Sequence, residues 1–480
     1  MSADDPKKNH TIVVSPQISH FSEFDTGEHD VFVVKEEGPD FRGVTCIGAA
    51  VLIAKSQFGL GVLGLPQTFS TLGFVPGLIC LVALCAISTW TGYVVGKFRL
   101  RYPHIYSIGD AAEMMFGTVG REFMGGAFWL FYALCYGASV LTFSIALNTL
   151  SNHAICTTGF VGIGAAISLF IGTSVRTMKV MSWCGYVALG SIFLSTWIVV
   201  IACLSQSTPA AAPKGVPIDK GIVAVSSGKP FYAIASAIAT QLLGLCGTAS
   251  FFTIHSEMKD QTQYIKSLFL GQGFVVFNYM IVSCIIYGKV GDYVTSPALG
   301  SAGPLFQKIC YGIALPGLIF SCFFQAHLAG KYGLVRILRG TEHLQTNSFT
   351  HWLTWVSMMV IVIVFGFVIA SAIPFFNDLL ALIGAFIGTS FTLIVPGFLA
   401  LYLMSRYMTK KGDGTLSWLR KCTRKWSRSR SSVITTVLAL FAIVFGFFIL
   451  VAGTYGAVQS IINGYKNGTV SKAFDCADNS

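Results

Sequence analysis

A short run of small and polar residues interrupts a long apolar segment near the beginning of the chain. The segment extends from Val44 to Phe74, long enough to cross a bilayer as one helix, but residues 55–61 read Lys-Ser-Gln-Phe-Gly-Leu-Gly. Glycine disfavours helix, and unwound backbone at membrane depth is tolerated only where it lines a cavity or is buried in protein. We therefore predict a membrane-spanning helix that is broken at this run.

The composition supports a location in the membrane. Of the 480 residues, 54% are hydrophobic and 11% are charged, whereas soluble domains carry about 25% charged residues. The net charge is +11, but the basic residues lie in short loops and are not interleaved with aromatic residues, so nucleic acid is not an expected partner. The sequence contains no catalytic or nucleotide-binding motif. We therefore expect neither enzymatic activity nor a cofactor.

Eleven apolar segments approach the roughly 20 residues that cross a bilayer as a helix. They predict an all-α polytopic membrane protein whose transmembrane domain covers residues 43–463. Residues 1–42 form a polar tail that we expect to be disordered and cytosolic, and residues 464–480 form a second tail. The segments cover residues 43–70, 73–97, 121–149, 158–176, 181–204, 230–254, 267–288, 310–330, 352–373, 378–405 and 433–463.

The basic residues predict the orientation of these segments. With the N-terminus in the cytosol, the cytosolic loops hold 20 lysines and arginines and the opposite loops hold 5, as the positive-inside rule expects. The C-terminal tail is then extracellular or lumenal, where Asn467 begins a glycosylation sequon, Asn-Gly-Thr. The sequon favours passage through the secretory pathway, and we expect the plasma membrane rather than the vacuolar membrane.

The cysteines indicate no metal or redox site. The chain has 13 cysteines, and no pair has the Cys-x-x-Cys spacing of such sites. Most lie inside apolar segments, where cysteine acts as a small hydrophobic residue. Four lie near predicted extracellular ends, where a disulfide could form: Cys156, Cys203, Cys310 and Cys476.

The sixth apolar segment contains a second interruption. Residues 243–248 read Leu-Gly-Leu-Cys-Gly-Thr in the middle of the segment. It lies five segments after the first, and an odd number of helices inverts the topology of a repeat. Two interrupted helices in corresponding halves indicate an inverted-repeat transporter whose binding site lies between them. The alternative is that these glycines only allow close helix packing.

Several stretches resemble the amino acid/auxin permease family, also called the transmembrane amino acid transporter family. Gly59–Pro66 resembles the pattern of its first helix, Ser107–Asp110 the connection after its second, and His255–Asp260 the acidic end of its sixth. Leu382–Pro396 resembles its tenth helix. Fungal neutral amino acid permeases are the most similar members. The resemblance implies a LeuT-type fold of two inverted repeats of five helices plus one extra helix, and transport of amino acids.

Two positions depart from the family pattern. Lys55 stands where many relatives have an asparagine that sodium-coupled members are thought to use for the ion, and Gly247 stands where relatives often have a histidine. The departures predict coupling to protons rather than to sodium.

An amino acid substrate needs donors for its carboxylate and acceptors for its ammonium group. Free N–H groups at the start of a half-helix can supply the donors, and glycine lets the ligand approach the backbone. Tyr136, in the third segment, could line or gate the site, although a core aromatic residue is the alternative. The predicted substrate-binding residues are Ser56, Phe58, Gly59, Leu60, Gly61, Tyr136, Leu243, Gly244, Gly247 and Thr248.

Three titratable residues are candidates for ion coupling or gating. An ammonium group at membrane depth costs about 2.5–3.5 kcal/mol, so Lys55 is either functional or reaches the cytosolic surface with its side chain. Glu257 could pair with a base as an intracellular gate or be a solvated residue at a helix end. His327 is a second proton carrier candidate or a structural histidine.

These observations predict a secondary active transporter that carries neutral amino acids with protons by alternating access. The residues leave two alternatives of the same fold open. One is an amino acid sensor that does not transport, and the other is an uncoupled exchanger or uniporter.

Overall fold

The computed structural model describes residues 42–213, 218–344, 346–373, 376–405, 418, 430–467, 474 and 476. Almost all of the predicted N-terminal tail lies outside these ranges. Within them the chain is helical. The helices are α1 (Cys46–Lys55), α2 (Leu60–Leu72), α3 (Phe74–Arg101), α4 (Ile108–Ser151), α5 (Thr157–Ser174), α6 (Met178–Ser205), α7 (Phe231–Leu243), α8 (Thr248–Ser256), α9 (Tyr264–Val290), α10 (Pro304–Leu338), α11 (Phe349–Ala372), α12 (Phe376–Ile383), α13 (Val395–Ser405) and α14 (Arg430–Lys466).

The described helices account for eleven membrane spans. Nine spans are long and apolar enough to cross a bilayer, the α7–α8 pair being one of them, and two bent pairs complete the set. The first pair, α1 and α2, bends by 42°, and the second, Phe376–Gly388 with Ser390–Ser405, bends by 40°. The prediction of an all-α protein with eleven spans is confirmed.

The first span is interrupted at the predicted place. Helix α1 ends at Lys55 and α2 begins at Leu60, with Gly59 as the residue before it, at φ 174° and ψ −90°. Pro66 lies inside α2 and lacks the N–H that the helix ladder needs. The sixth span is interrupted at residues 244–247, between α7 and α8. Both predicted breaks are confirmed.

The tenth span contains a distortion that the sequence did not reveal. Between α12 and α13 the chain forms two π-helical turns, Gly384–Gly388 and Ser390–Ile394. The Thr389 hydroxyl donates to the carbonyl of Gly384 at 2.8 Å and to that of Ala385 at 2.6 Å. Such bulges occur often at functional sites. A continuous apolar segment carries no signal for them.

One long helix packs against two others along its length. Helix α10 packs along both α4 and α6, while α1 packs on α9 and α7 packs on α14. At one end a short parallel bridge joins the segment before α1 to the segment after α8, since the Val44 N–H donates to the carbonyl of Glu257 at 3.1 Å and the Lys259 N–H donates to that of Val44 at 2.8 Å. The two interrupted spans are therefore tied together outside their breaks.

A disulfide fixes the C-terminal tail. Cys156, which precedes α5, is bonded to Cys476, whereas Cys203 and Cys310 are free and buried. The Phe474 N–H also donates to the carbonyl of Ser371, at the end of α11, at 2.8 Å. Phe474 therefore lies at the end of α11, and Cys476 lies at the start of α5. Asn467 is exposed just after α14.

Candidate substrate-binding site

The two breaks face each other at close range because glycines line the contact. A Cβ atom added to Gly61 would lie 2.7 Å from the Cα atom of Gly244. A Cβ atom added to Gly247 would lie 2.5 Å from the Ser56 Oγ and 2.7 Å from the Gln57 Cγ. A larger residue at Gly61 would push the two backbones apart, and a larger residue at Gly247 would displace the side chains of Ser56 and Gln57.

A small cavity lies beside the breaks, between α4 and α10. Its volume of about 20 Å³ holds roughly one water molecule. An amino acid therefore requires side chains to move before it can occupy this space. The lining residues are Lys55, Ser56, Gln57, Gly59, Leu60, Gly61, Phe131, Tyr132, Cys135, Leu243, Cys246, Ser321 and Gln325.

The start of α2 presents backbone donors to this cavity. The first four N–H groups of a helix have no acceptor inside it, and in α2 they include those of Leu60 and Gly61, two residues that line the cavity. The partial positive charge of the helix N-terminus favours an anion there. The arrangement can bind the carboxylate of a zwitterion.

Phe58 occupies a different position from its neighbours in the break. Its N–H donates to the carbonyl of Ala54 at 2.7 Å, so this group is not available to a ligand. Its ring is fully buried against Phe274 and Tyr279, with centroids at 5.3 and 6.1 Å. Phe58 therefore faces away from the cavity.

The other predicted substrate residues divide into three groups. Ser56, Gly59, Leu60, Gly61 and Leu243 line the cavity. Gly244 and Gly247 form the contact between the breaks, and Thr248 is buried at the start of α8. Tyr136 packs against Gly366 of α11 and not on the cavity.

Several lining residues on α4 and α10 were not among the predicted site residues. Phe131, Tyr132 and Cys135 are the residues of α4 that face the cavity, and a helix that is apolar all round gives no sign of which face does so. Ser321 and Gln325 lie four residues apart on α10. Polar residues at that spacing share one helix face, and this signal could have identified them.

The ammonium group of Lys55 lies at the edge of the cavity inside the protein. Its Nζ donates to the Ser321 Oγ at 2.7 Å and lies 5.7 Å from the centroid of the Phe320 ring, and the residue is 4% exposed. Across the described ranges, no carboxylate forms an ion pair with it. Lys55 therefore brings one formal positive charge to the cavity wall.

Glu257 forms an ion pair in the protein interior. Its Oε1 lies 2.5 Å from the Nζ of Lys331 on α10, and the two side chains are 0% and 1% exposed. Its Oε2 accepts from the backbone N–H of Met178 at 3.4 Å. The pair links the end of α8 to α10 and to the start of α6. His327, one turn before Lys331, contacts the carbonyl of Val175 through Nδ1 at 3.0 Å and lies against the Trp355 ring.

Two interrupted helices that contact each other beside a small polar cavity, in a bundle of eleven spans, define a membrane transporter of the inverted-repeat fold. Solved structures share this architecture. MhsT in complex with L-phenylalanine matches with a TM-score of 0.55 at 12% identity over 85% of this chain and 98% of its own. Mhp1, a nucleobase-cation-symport-1 family transporter, matches with a TM-score of 0.54 at 16% identity over 92% of this chain and 98% of its own.

The family follows from the sequence matches. The model of the transmembrane amino acid transporter protein family matches residues 42–459, and the chain belongs to this family. A "Transmembrane transporter" of Gibberella moniliformis is 33% identical over 96% of this chain and 93% of its own. An "N amino acid transport system protein" of Neurospora crassa is 30% identical over 89% of this chain and 87% of its own. The family resemblance seen in the motifs is confirmed, and these relatives are named as transporters.

Proposed function

We propose that the protein is a secondary active transporter that carries neutral amino acids together with protons into the cell by alternating access. The Neurospora crassa relative is named for amino acid transport, and MhsT, which shares the fold, was solved with L-phenylalanine. The basic loops and the sequon at Asn467 support the plasma membrane, a cytosolic N-terminus and an extracellular C-terminus.

The observation that carries the proposed coupling is the position of Lys55. Its ammonium group is buried beside Ser321, at the junction between the first break and α10. A cation bound between these two elements would contact the Ser321 hydroxyl oxygen, and the Lys55 ammonium group already places a positive charge beside that oxygen. Lysine can give up its proton when it is buried, so the protein can load and release a proton where another transporter would bind sodium.

The charge of the cavity supports neutral substrates. Among the residues that line it, Lys55 carries the only formal charge. No described residue brings a carboxylate to the cavity to meet a cationic side chain. The backbone of the two breaks can bind the carboxylate and ammonium groups of any amino acid. Phe131, Leu60 and Leu243 supply apolar surface for the side chain of the substrate.

The test is uptake of labelled L-leucine, L-phenylalanine and L-glutamine into liposomes that contain the purified protein. We expect uptake to follow an inward proton gradient, to fall with a protonophore and to be indifferent to sodium. Lys55→Asn should abolish the dependence on pH, and Lys55→Arg, whose guanidinium does not release a proton, should bind substrate without accumulating it. Lys97→Asn, at an exposed lysine on α3, is the control and should behave as the unmodified protein.

The alternatives give different results in the same experiment. Binding without flux would identify a sensor. Flux that ignores both the proton gradient and the protonophore would identify a uniporter or an exchanger. A Lys55→Asn protein with an unchanged pH profile would exclude Lys55 as the coupling residue.

A further inference from the structure

A tyrosine on α9 connects the two breaks. The hydroxyl oxygen of Tyr279 lies 2.7 Å from the backbone carbonyl of Gln57, in the first break, and 2.8 Å from that of Gly244, in the second. Tyr279 is fully buried. Two carbonyl groups from separate interrupted helices therefore converge on one hydroxyl group.

These two carbonyls depend on the hydroxyl as a hydrogen-bond donor because they lie in unwound backbone inside the protein. A break leaves backbone acceptors without their helical donors, and water cannot replace the donors in a protein interior at membrane depth. A phenol has one proton, which the two carbonyls share or exchange. Without the hydroxyl, the buried carbonyls of Gln57 and Gly244 would lose their donor. The hydrogen bonds that hold these two carbonyls close together would be lost with it.

The surroundings hold this hydroxyl in place. The ring of Phe58 stacks on that of Tyr279 with an interplanar angle of 20°. Gly61 leaves space for the hydroxyl of Tyr279. A Cβ atom added to Gly61 would collide with that hydroxyl. Phe58, which does not line the cavity, therefore supports Tyr279, and Gly61 makes space for it.

We propose that Tyr279 is a positioning residue that holds the two breaks against each other and so forms the substrate site beside them. This inference rests on the proposed function only in that the breaks bind the substrate. Tyr279 does not line the cavity and acts through Gln57 and Gly244. Its loss should separate the breaks and expose the residues of the second one.

The test is Tyr279→Phe, which removes the hydroxyl and keeps the ring. Tyr287→Phe is the matched control, because Tyr287 lies on the same helix, is equally buried, and its hydroxyl accepts a long hydrogen bond, 3.4 Å, from the Val223 N–H. The first measurement is the rate of alkylation of Cys246, a cavity residue of the second break that is 4% exposed, in the purified full-length protein. We expect an increase of at least about fivefold in Tyr279→Phe and no change beyond about twofold in Tyr287→Phe.

The second measurement is the dissociation constant of the same three labelled amino acids, which we expect to rise at least about fivefold in Tyr279→Phe only. Equal alkylation rates in the two variants would overturn the proposal. The alkylation readout uses no substrate, so it stands even if the unmodified protein transports none of the three and the proposed function fails. If Tyr279→Phe does not fold, the second variant is Phe58→Leu, which removes the ring that stacks on Tyr279. We expect Phe58→Leu to raise the alkylation rate of Cys246 by about two- to threefold. An unchanged rate in Phe58→Leu would overturn the proposal as well.

Discussion

Neutralising Glu257 should strongly destabilise the protein, because the partner charge would remain in the interior. The Glu257–Lys331 pair is 2.5 Å apart with both side chains at most 1% exposed. Removing one member of a buried ion pair costs about 3–5 kcal/mol, since the other charge keeps its desolvation cost and loses its compensation. For Glu257→Gln we therefore expect a fall of about 3–5 kcal/mol in the free energy of unfolding.

The same reasoning predicts that the double variant recovers most of the loss. Glu257→Gln with Lys331→Met removes both charges, and replacing a whole buried pair by neutral residues is often close to neutral. We expect the double variant to lie within about 1–2 kcal/mol of the unmodified protein. A double-mutant cycle then gives a coupling energy that is large and favourable.

The assay is unfolding of the purified protein in mixed micelles, followed by circular dichroism while the fraction of denaturing detergent is raised. Glu113→Gln is the matched control, since Glu113 pairs with Arg121 at 2.9 Å but the side chains are 37% and 30% exposed. An exposed pair contributes about 0–1 kcal/mol. Equal effects of Glu257→Gln and Glu113→Gln would refute the reasoning.

Three further changes test other contacts. Gly247→Ala places a methyl group 2.5 Å from the Ser56 Oγ, so amino acid uptake should fall more than about tenfold in a protein that still reaches the membrane. Normal uptake by this variant in liposomes would contradict the close contact. Cys476→Ser removes the disulfide to Cys156 and should lower the free energy of unfolding by about 2–4 kcal/mol. A different value for Cys156→Ser would argue against the pairing. Trp418→Phe removes the 3.0 Å hydrogen bond from Nε1 to the Met115 carbonyl and should cost about 0.5–1.5 kcal/mol; an unchanged unfolding midpoint would argue against this contact.

The sequence identified the breaks because a break has a local chemical cause. Glycine removes helix propensity and proline removes a backbone donor, and both effects act wherever the residue stands. Two such runs, five spans apart, were therefore enough to predict an inverted-repeat transporter and the approximate place of its cavity. Lys55 stood out for the same reason, because a charge in an apolar segment is costly.

The sequence could not assign the faces of the central helices. Tyr132 and Tyr136 lie one turn apart in α4, and only packing decides that the first lines the cavity and the second contacts Gly366. Glu257 presents a similar case. A carboxylate at a helix end can be solvated or buried, and the outcome depends on Lys331, which lies 74 residues further along the chain.

The sequence by itself determined that this chain crosses a membrane eleven times and breaks two of its helices, because hydropathy and helix propensity are properties of short segments. Tertiary structure alone decided that Tyr279 lies between the carbonyls of Gln57 and Gly244, that α10 brings Ser321 to Lys55, and that Cys476 reaches Cys156. These contacts join residues between 35 and 320 positions apart. No local pattern encodes such a partner, since each contact exists only once the helices have packed against each other.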